Sequence, residues 1–448
     1  MRENKDYLIT EKPSRALLIF SIPMIIGNLF QQAYTIVDSA IVGRYVGETA
    51  LAAVGASYAL TSIFICIAIG GGIGASVIIS HHFGAHNYGR MKTCIRTALL
   101  SFLFISLILG GIGLIFSQQI MEVLNTPADA IDIAVTYLNI YFLGLPFLFM
   151  YNILSSMFNA LGESRIPLYL LIFSSVLNIF LDLYMVAVLN LGVAGAAYAT
   201  FIAQGISAVL SLIIFVVTLQ QLQGKAEGWF SKTDFSDMSR IALPSILQQS
   251  TVSIGMMLVQ SVVNSFGTQI LAGFSAAMRI ESLCVVPMSA IGNAMSSYTA
   301  QNIGAEKEER ISQGYRAGNF MIIVIAVILC FFLEIAHKPL IALFLDNEPS
   351  AQTIVTGESY LKFIGFFFCM IGFKMTVDGI LRGAVKVFTI ANMVNLTVRV
   401  TIAKFGAPIW GVSMVWYAVP LGWLANFLIS YGYYRTEKWK EAASKTVD

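Results

Sequence analysis

Charged residues are scarce in this chain of 448 residues. Asp, Glu, Lys and Arg make up 12% of the sequence, against roughly 25% in an ordinary soluble domain, and 57% of the residues are hydrophobic. The uncharged segments 50–80, 241–278 and 405–434 each exceed the ~20 residues that a helix needs to cross a bilayer. A soluble core does not need such segments repeatedly, so the composition predicts a helical protein that crosses the membrane many times.

Residues that usually perform catalysis or hold metals are also few. The five cysteines form no CxxC pair, and we interpret them as packing residues. The four histidines lie near the ends of apolar segments, and no HExxH or GK[ST] motif occurs. The glycines at 70–74 follow no predicted strand and indicate close helix packing instead of a phosphate loop. These absences argue against an intramembrane enzyme and an ATP-driven pump. We expect no cofactor and no nucleic-acid partner. A sodium ion is one of the two candidates for a coupling ion.

The second half of the chain repeats the first at a nearly constant separation. Gly47, Leu51, Ala52, Ala56, Gly84 and Ala85 recur 220 residues later, and Ser21-Ile22-Pro23 matches Ala242-Leu243-Pro244. Such duplication in a hydrophobic chain is typical of transporters built from two related bundles. We predict a first bundle over 1–220, a cytoplasmic linker over 221–235 and a second bundle over 236–448. Pro23 and Pro244, at matching positions, are the best candidates for helix hinges.

Apolar segments separated by charged residues, Gly or Pro predict twelve spans. They cover 16–42, 50–80, 97–120, 132–158, 166–188, 191–219, 241–265, 270–300, 317–336, 351–380, 384–403 and 408–434. Twenty Lys and Arg lie on the side of both termini and four on the other, so the termini are predicted to be cytoplasmic. The expected fold is an all-α membrane protein with twelve transmembrane helices in two pseudo-twofold-related six-helix bundles, in the inner membrane.

Two carboxylates stand almost alone inside the first bundle. Asp38 is the only charged residue between positions 15 and 44, and Asp182 the only one between 165 and 225. At about 1.5 Å per residue, both fall in the outer half of the bundle with Thr200, and Asn178 precedes Asp182 by one turn. Two carboxylates in a low dielectric repel each other, which favours binding of a proton or a cation. We predict an ion-coupling site; the alternative is that each Asp caps a helix end or bonds locally.

Several short motifs lie along the chain, and two of them contain these carboxylates. They are Pro23…Asp38-Ser-Ala-Ile-Val-Gly43, Phe83-Gly84-Ala85, Ala160-Leu-Gly-Glu-Ser-Arg-Ile-Pro167, Asn178-Ile-Phe-Leu-Asp182 and Leu381-Arg382-Gly383. In this order the chain resembles the multidrug and toxic compound extrusion (MATE) family over essentially its whole length. The resemblance implies an antiporter that exports organic compounds with a proton or sodium gradient. It also implies a coupling cluster of Asp38, Asn178, Asp182 and Thr200 near the Ala196 carbonyl, and a first helix that bends near Pro23.

Uncharged polar side chains inside spans 1 and 7 are candidates for lining a substrate cavity, with interhelical hydrogen bonding as the alternative. They are Asn28, Gln31, Gln32, Tyr34, Gln248 and Gln249. The second half also carries charges within predicted spans: Arg279, Glu281, Glu358 and Lys362. Our hypothesis is that these four form one buried network in the second bundle; a structural ion-pair cluster without a substrate role is the alternative.

One branch of the MATE family has carboxylates on helix 7 and well inside helix 10, and this chain departs from that pattern. Span 7 has no carboxylate, and Asp378 lies near the cytoplasmic end of span 10, four residues from both Lys374 and Arg382. This spacing predicts a local salt-bridge chain.

The expected function is secondary active export of hydrophobic, cationic, drug-like compounds in exchange for protons or sodium. The nearest alternative is a flippase for a lipid-linked precursor, which would favour a strongly basic cavity. A passive channel fits the repeat but not the isolated acidic pair. The expected partners are small-molecule substrates and the lipid bilayer, and the protein is expected to be a monomer.

Overall fold

The computed structural model describes residues 6–46, 48–124, 126–127, 130–345, 350–385 and 389–440; Gly47, one of the repeat positions, lies outside them. The described helices are α1 (Tyr7–Thr10), α2 (Pro13–Tyr45), α3 (Glu48–Gly84), α4 (Tyr88–Val123), α5 (Ile131–Ala160), α6 (Arg165–Asp182), α7 (Gly192–Gln220), α8 (Lys232–Asn264), α9 (Thr268–Gly304), α10 (Glu309–Ala342), α11 (Ala351–Gly365), α12 (Phe368–Gly383), α13 (Thr389–Thr401), α14 (Ala407–Trp410) and α15 (Ser413–Arg435). Short π-helical segments, Leu183–Val188 and Ile402–Gly406, directly follow α6 and α13.

Each predicted span contains helix. Within the described ranges, ten helices are long and apolar enough to cross a membrane. The pair α11 and α12, bent by 53°, is also long and apolar enough to cross the membrane if it counts as one span. The remaining predicted span is the continuous run of α13, the π-helical segment and α14, which includes the charged residues Arg399 and Lys404.

Several helices begin well before their apolar segments. The helix α4 begins at Tyr88 although its predicted span begins at 97, and α8 and α10 are extended in the same way. The Asn87 side chain caps α4 by accepting a hydrogen bond from the Arg90 backbone N–H. Basic residues end a hydrophobic run, but they are good helix formers, so the helix continues past the apolar segment.

The described chain forms two compact units. The first unit is Ile26–Ile246, and the second unit combines Met1–Ile25 with Leu247–Asp448. The division falls inside α2 and α8, just after Pro23 and Pro244, and differs from the boundaries at 220 and 236 that follow the repeat. The reason is packing. In the second unit, Leu17 and Phe20 of α2 are buried with Tyr298 and Ile380, whereas the start of α8 packs within the first unit.

Glycines permit this close packing in the first unit. A Cβ placed on Gly74 would lie 2.5 Å from the Met238 carbonyl oxygen, and one on Gly70 would lie 2.6 Å from the Ile246 backbone nitrogen. The glycine stretch of α3 therefore brings two helix backbones together, as the sequence predicts.

Candidate ion-coupling site

Three helices of the first unit bring the predicted coupling residues together. Asp38 lies on α2, Asn178 and Asp182 lie one turn apart on one face of α6, and Thr200 lies on α7. Asp182 is 0% exposed and Asn178 is 2% exposed. Asp182 is also the last α-helical residue before a π-helical segment, a feature that often occurs at functional sites.

The side chains in this cluster form a connected network. Asp38 and Asp182 are within hydrogen-bonding reach of each other. The Asn178 amide matches the hydrogen-bond donors and acceptors around it when its nitrogen donates to Asp182 Oδ2 at 2.7 Å and to the Tyr34 hydroxyl at 2.9 Å. Its oxygen then accepts from Thr200 Oγ1 at 3.2 Å. This orientation of the amide is assigned from the hydrogen-bond network, because amide nitrogen and oxygen have nearly the same shape.

Two carboxylate oxygens in the cluster could each accept a hydrogen bond that the described residues do not provide. Asp38 Oδ1 and Asp182 Oδ1 are buried and have no hydrogen-bond partner among the described residues. A buried acceptor without a partner costs about 1–3 kcal/mol, more if it is charged. The cluster is therefore short of donors, and a bound proton or cation would supply what it lacks.

A small cavity in the first unit borders the cluster. It has a volume of 20 Å³ and is lined by Tyr137, Tyr141, Thr200 and Gln204 among others. Such a volume holds about one water molecule. A water at this position would contact polar groups next to the carboxylates.

Tyr34 belongs to this cluster, although the sequence placed it only among the cavity candidates. It lies one turn before Asp38 on α2, and its hydroxyl accepts from the Asn178 amide and is close to Thr200 and both aspartates. The i,i+4 spacing from Asp38 was the signal that could have identified it. Ala196 is buried one turn before Thr200 on α7. Its carbonyl as an ion ligand stays a prediction.

The other cavity candidates differ in exposure. Gln31 and Gln32 are exposed, while Asn28, Gln248 and Gln249 are half-buried. Exposed amides within an apolar span are poorly suited to contact lipid. The role of these residues in a substrate cavity stays a prediction.

The predicted hinge residue Pro23 lies inside α2, and the helix continues without interruption on both sides of it. Its role as a hinge stays a prediction.

The hypothesis of one buried network in the second unit is wrong. Glu281 is buried and accepts a 2.6 Å hydrogen bond from Tyr360, and the charge of Arg399 acts on it. Arg279, in contrast, is exposed. The sequence signal for Arg399 was weak, because a basic residue near a span end is usually interpreted as facing water.

Glu358 and Lys362 also lie outside that network. Although they have the spacing of a helix ion pair, each turns to α10. Lys362 Nζ lies 3.6 Å from Glu334, and Glu358 lies 3.9 Å from His337. Packing of α10 against α11 therefore determines the partners of both residues.

The predicted salt-bridge chain at Asp378 is half correct. Lys374 Nζ lies 3.2 Å from Asp378 Oδ2, and both side chains are nearly buried. Arg382 instead donates to Asn293 Oδ1 at 2.9 Å, because α12 packs along α9. The second partner of Asp378 is Ser430, whose hydroxyl donates to Asp378 Oδ1 at 2.8 Å.

Comparison with known proteins decides the family. The MatE family model matches residues 23–184 and matches again over 244–403. The chain belongs to the MatE family. The two matches to one model confirm the internal duplication, and they confirm the resemblance that the motifs indicated.

MatE proteins similar to this chain include two from Bacillus subtilis (strain 168). The probable multidrug resistance protein YpnP is 31% identical, over 95% of this chain and 96% of its own length. The probable multidrug resistance protein YoeA is 27% identical, over 97% of both chains. A solved structure described as the outward-facing conformation of a multidrug resistance MATE family transporter of the MOP superfamily superposes with a TM-score of 0.91. It is 24% identical and covers 99% of both chains. The chain is thus a multi-pass membrane transporter with the twelve-helix MatE fold, and not an enzyme.

Proposed function

We propose that this transporter is an antiporter that exports hydrophobic, cationic organic compounds in exchange for protons. The observation that carries the proposal is the contact between Asp38 and Asp182, each with a buried oxygen that has no partner among the described residues. A hydrogen bond between two carboxyl groups needs one shared proton, so gain or loss of a proton changes this contact directly.

Sodium is the alternative coupling ion. Carboxylate, hydroxyl and amide oxygens are the ligands that a hard cation prefers. In the satisfied arrangement, however, Asn178 turns its nitrogen to Asp182 and its oxygen to Thr200. A sodium ion that used the Asn178 amide as a ligand would need the amide oxygen to face the carboxylates. This difference supports the proton as the coupling ion.

The helix α2 provides a link between the coupling site and a conformational change. Pro23 has no N–H, so the Ile19 carbonyl lacks its usual helical partner and the helix is weakened there. Asp38 lies 15 residues further along α2, about 22 Å away. We infer that a change in the Asp38–Asp182 contact bends α2 at Pro23.

Substrate and orientation complete the proposal. The relatives named multidrug resistance proteins support drug-like substrates, and carboxylates in the first unit favour cationic ones. The excess of Lys and Arg on one side supports cytoplasmic termini in the inner membrane. Lys362 is paired with Glu334. The exposed Arg279 alone would not make a cavity strongly basic, so a flippase for a lipid-linked precursor has little support here. We propose a monomer as the working unit.

Efflux in proteoliposomes tests this function. A fluorescent cation such as ethidium is loaded, and pH and sodium gradients are imposed separately. We expect efflux with the pH gradient alone, its loss in Asp38→Asn, and normal efflux in the control Asp132→Asn, an exposed aspartate at the start of α5. Efflux that follows only the sodium gradient would replace the proton by sodium. Full gradient-driven efflux in Asp38→Asn would refute the coupling role.

The hinge needs its own experiment. Pro23→Ala restores an N–H to the Ile19 carbonyl and should stiffen α2, so we expect slower efflux with unchanged thermal stability or a small gain. Pro244→Ala is the matched variant at the repeat position. Unchanged efflux in Pro23→Ala would remove the hinge from the mechanism.

A further inference from the structure

A groove on the first unit lies beside the early turns of α4. It has a volume of 480 Å³, and the side chains lining it are almost wholly apolar. Its principal lining residues are Leu100, Leu103, Phe104, Leu107, Phe230 and Phe235. The last two come from the linker after α7 and from the first turn of α8.

One face of α4 connects this groove to a positive charge. Arg96, Leu100, Leu103 and Leu107 follow each other at helical spacing and are all exposed. From Arg96 to Leu107 the helix rises about 16 Å. This length is about half of the ~30 Å hydrocarbon core of a bilayer. The stripe therefore has the length of one leaflet, with the charge at its end.

The end of the groove near Arg96 has the chemistry of a membrane interface. The Arg96 guanidinium lies 4.7 Å from the centre of the Trp229 ring, and Trp229 is 75% exposed. Lys232, the first residue of α8, is exposed and comes one turn before the lining residue Phe235. Tryptophan and basic residues are enriched where a membrane protein meets the lipid headgroups on the cytoplasmic side. Asp234 is buried and lies 3.8 Å from Arg90, so this carboxylate pairs with Arg90.

The wall of the groove is held in place by hydrogen bonds to α4. Lys92 Nζ donates to the carbonyl oxygens of Leu222 and Gly224 at 2.7 and 2.8 Å. Thr93 Oγ1 accepts from the backbone N–H groups of Glu227 and Gly228. These bonds fix the linker immediately before Trp229 and Phe230. The groove is therefore a built feature of the fold.

We propose that this groove binds one anionic phospholipid of the cytoplasmic leaflet. One acyl chain lies along α4 between Leu103 and the rings of Phe230 and Phe235, and the phosphate contacts Arg96 and Lys232. The charge at one end and the apolar length of one leaflet together select this occupant over a soluble anion or a zwitterionic lipid. The proposal shares with the proposed function only its orientation, and binding can be measured without transport.

The test counts lipids bound to the purified full-length protein by native mass spectrometry. We expect one phosphatidylglycerol to be retained where phosphatidylcholine is not, and Arg96→Gln to weaken that binding about five- to tenfold, since a basic residue near an anionic lipid is worth ~1 kcal/mol or slightly more. Leu103→Trp, which fills the groove from an exposed position, should also weaken it. Arg96→Lys should keep most of the binding, and the control Lys225→Gln, an exposed basic residue of the same linker, should behave as wild type.

Two results would overturn the proposal. One is equal retention of phosphatidylglycerol and phosphatidylcholine, which would show an unselective lipid surface. The other is displacement of the bound lipid by millimolar inorganic phosphate with no effect of Leu103→Trp, which would show a phosphate site that does not use the groove. Thermal unfolding of each variant checks that lost binding does not come from lost folding.

Discussion

Tyr360 donates a 2.6 Å hydrogen bond to Glu281 inside the second unit. The tyrosine ring contacts Phe274 and Trp416 edge to face, so the hydroxyl is held in position by packing. The buried Arg399 acts on the same carboxylate, although its Nε and Nη2 have no partners among the described residues. A buried carboxylate with a single hydrogen bond depends strongly on that bond.

Removing the Tyr360 hydroxyl should therefore destabilise the protein. We expect Tyr360→Phe to lower the free energy of unfolding by about 1.5–3 kcal/mol, the range for a hydrogen bond to a charged group. Thermal unfolding in detergent measures the change. Tyr417→Phe is the matched control, because Tyr417 is exposed and keeps its ring contact with Phe363. Equal effects of the two variants would mean that Glu281 does not need the bond.

Substitutions of Glu281 distinguish a structural role of this residue from a role in transport. Glu281→Gln keeps an oxygen acceptor for Tyr360, whereas Glu281→Ala leaves the buried hydroxyl only the weak Met278 sulfur acceptor at 3.6 Å and opens a cavity. We expect the alanine variant to unfold at a lower temperature than the glutamine variant. If Glu281→Ala left folding and efflux intact, the Tyr360–Glu281 contact would have no role in either.

Asp38 and Asp182 should behave as one functional group. Because each provides half of a shared contact, loss of either one removes the coupled step. We expect Asp38→Asn and Asp182→Asn to reduce pH-driven efflux to a similar level, and the double variant to be no worse than either single variant. Initial rates in proteoliposomes measure this. Independent, multiplicative losses would contradict a shared contact.

Local spacing predicted the half of this site that lies on one helix. Asn178 and Asp182 are one turn apart on α6, and a carboxylate isolated in an apolar span is itself a signal of a functional role. Contacts between helices cannot be predicted from local spacing. The contact of Asp38 on α2 with α6 depends on packing, and we predicted it from the estimated depths and from the family resemblance.

The same distinction explains the errors. Glu358 and Lys362 have the spacing of a helix ion pair, yet they turn to His337 and Glu334 because α10 packs against α11 and brings these partners within reach. The helix α4 begins before its apolar segment because hydropathy detects the membrane and not the helix. The unit boundaries inside α2 and α8 follow tertiary contacts. The boundaries at 220 and 236 follow the sequence repeat and stay a prediction.

The Lys374–Asp378 pair should be costly to break. Both side chains are nearly buried, and their charged atoms lie 3.2 Å apart. Asp378→Asn leaves the lysine charge without its counter-ion, so we expect a loss of about 3–5 kcal/mol. The double variant Lys374→Met with Asp378→Asn should lose less than Asp378→Asn alone. A double-mutant cycle by thermal unfolding measures the coupling, and additive effects would show that the pair contributes nothing.

The glycines of α3 give a test of close helix packing. A Cβ on Gly74 would lie 2.5 Å from the Met238 carbonyl oxygen and 2.9 Å from the Ala242 Cβ, so the backbones of α3 and α8 must separate to accept it. We expect Gly74→Ala to lower the free energy of unfolding by about 1–3 kcal/mol, as for other overpacked sites. Gly111→Ala is the control, since a Cβ there meets nothing within 4 Å, and it should be neutral or stabilising by up to about 1 kcal/mol. The difference between these two variants isolates the steric cost from helix propensity, and equal unfolding temperatures would show that α3 and α8 do not need this close approach.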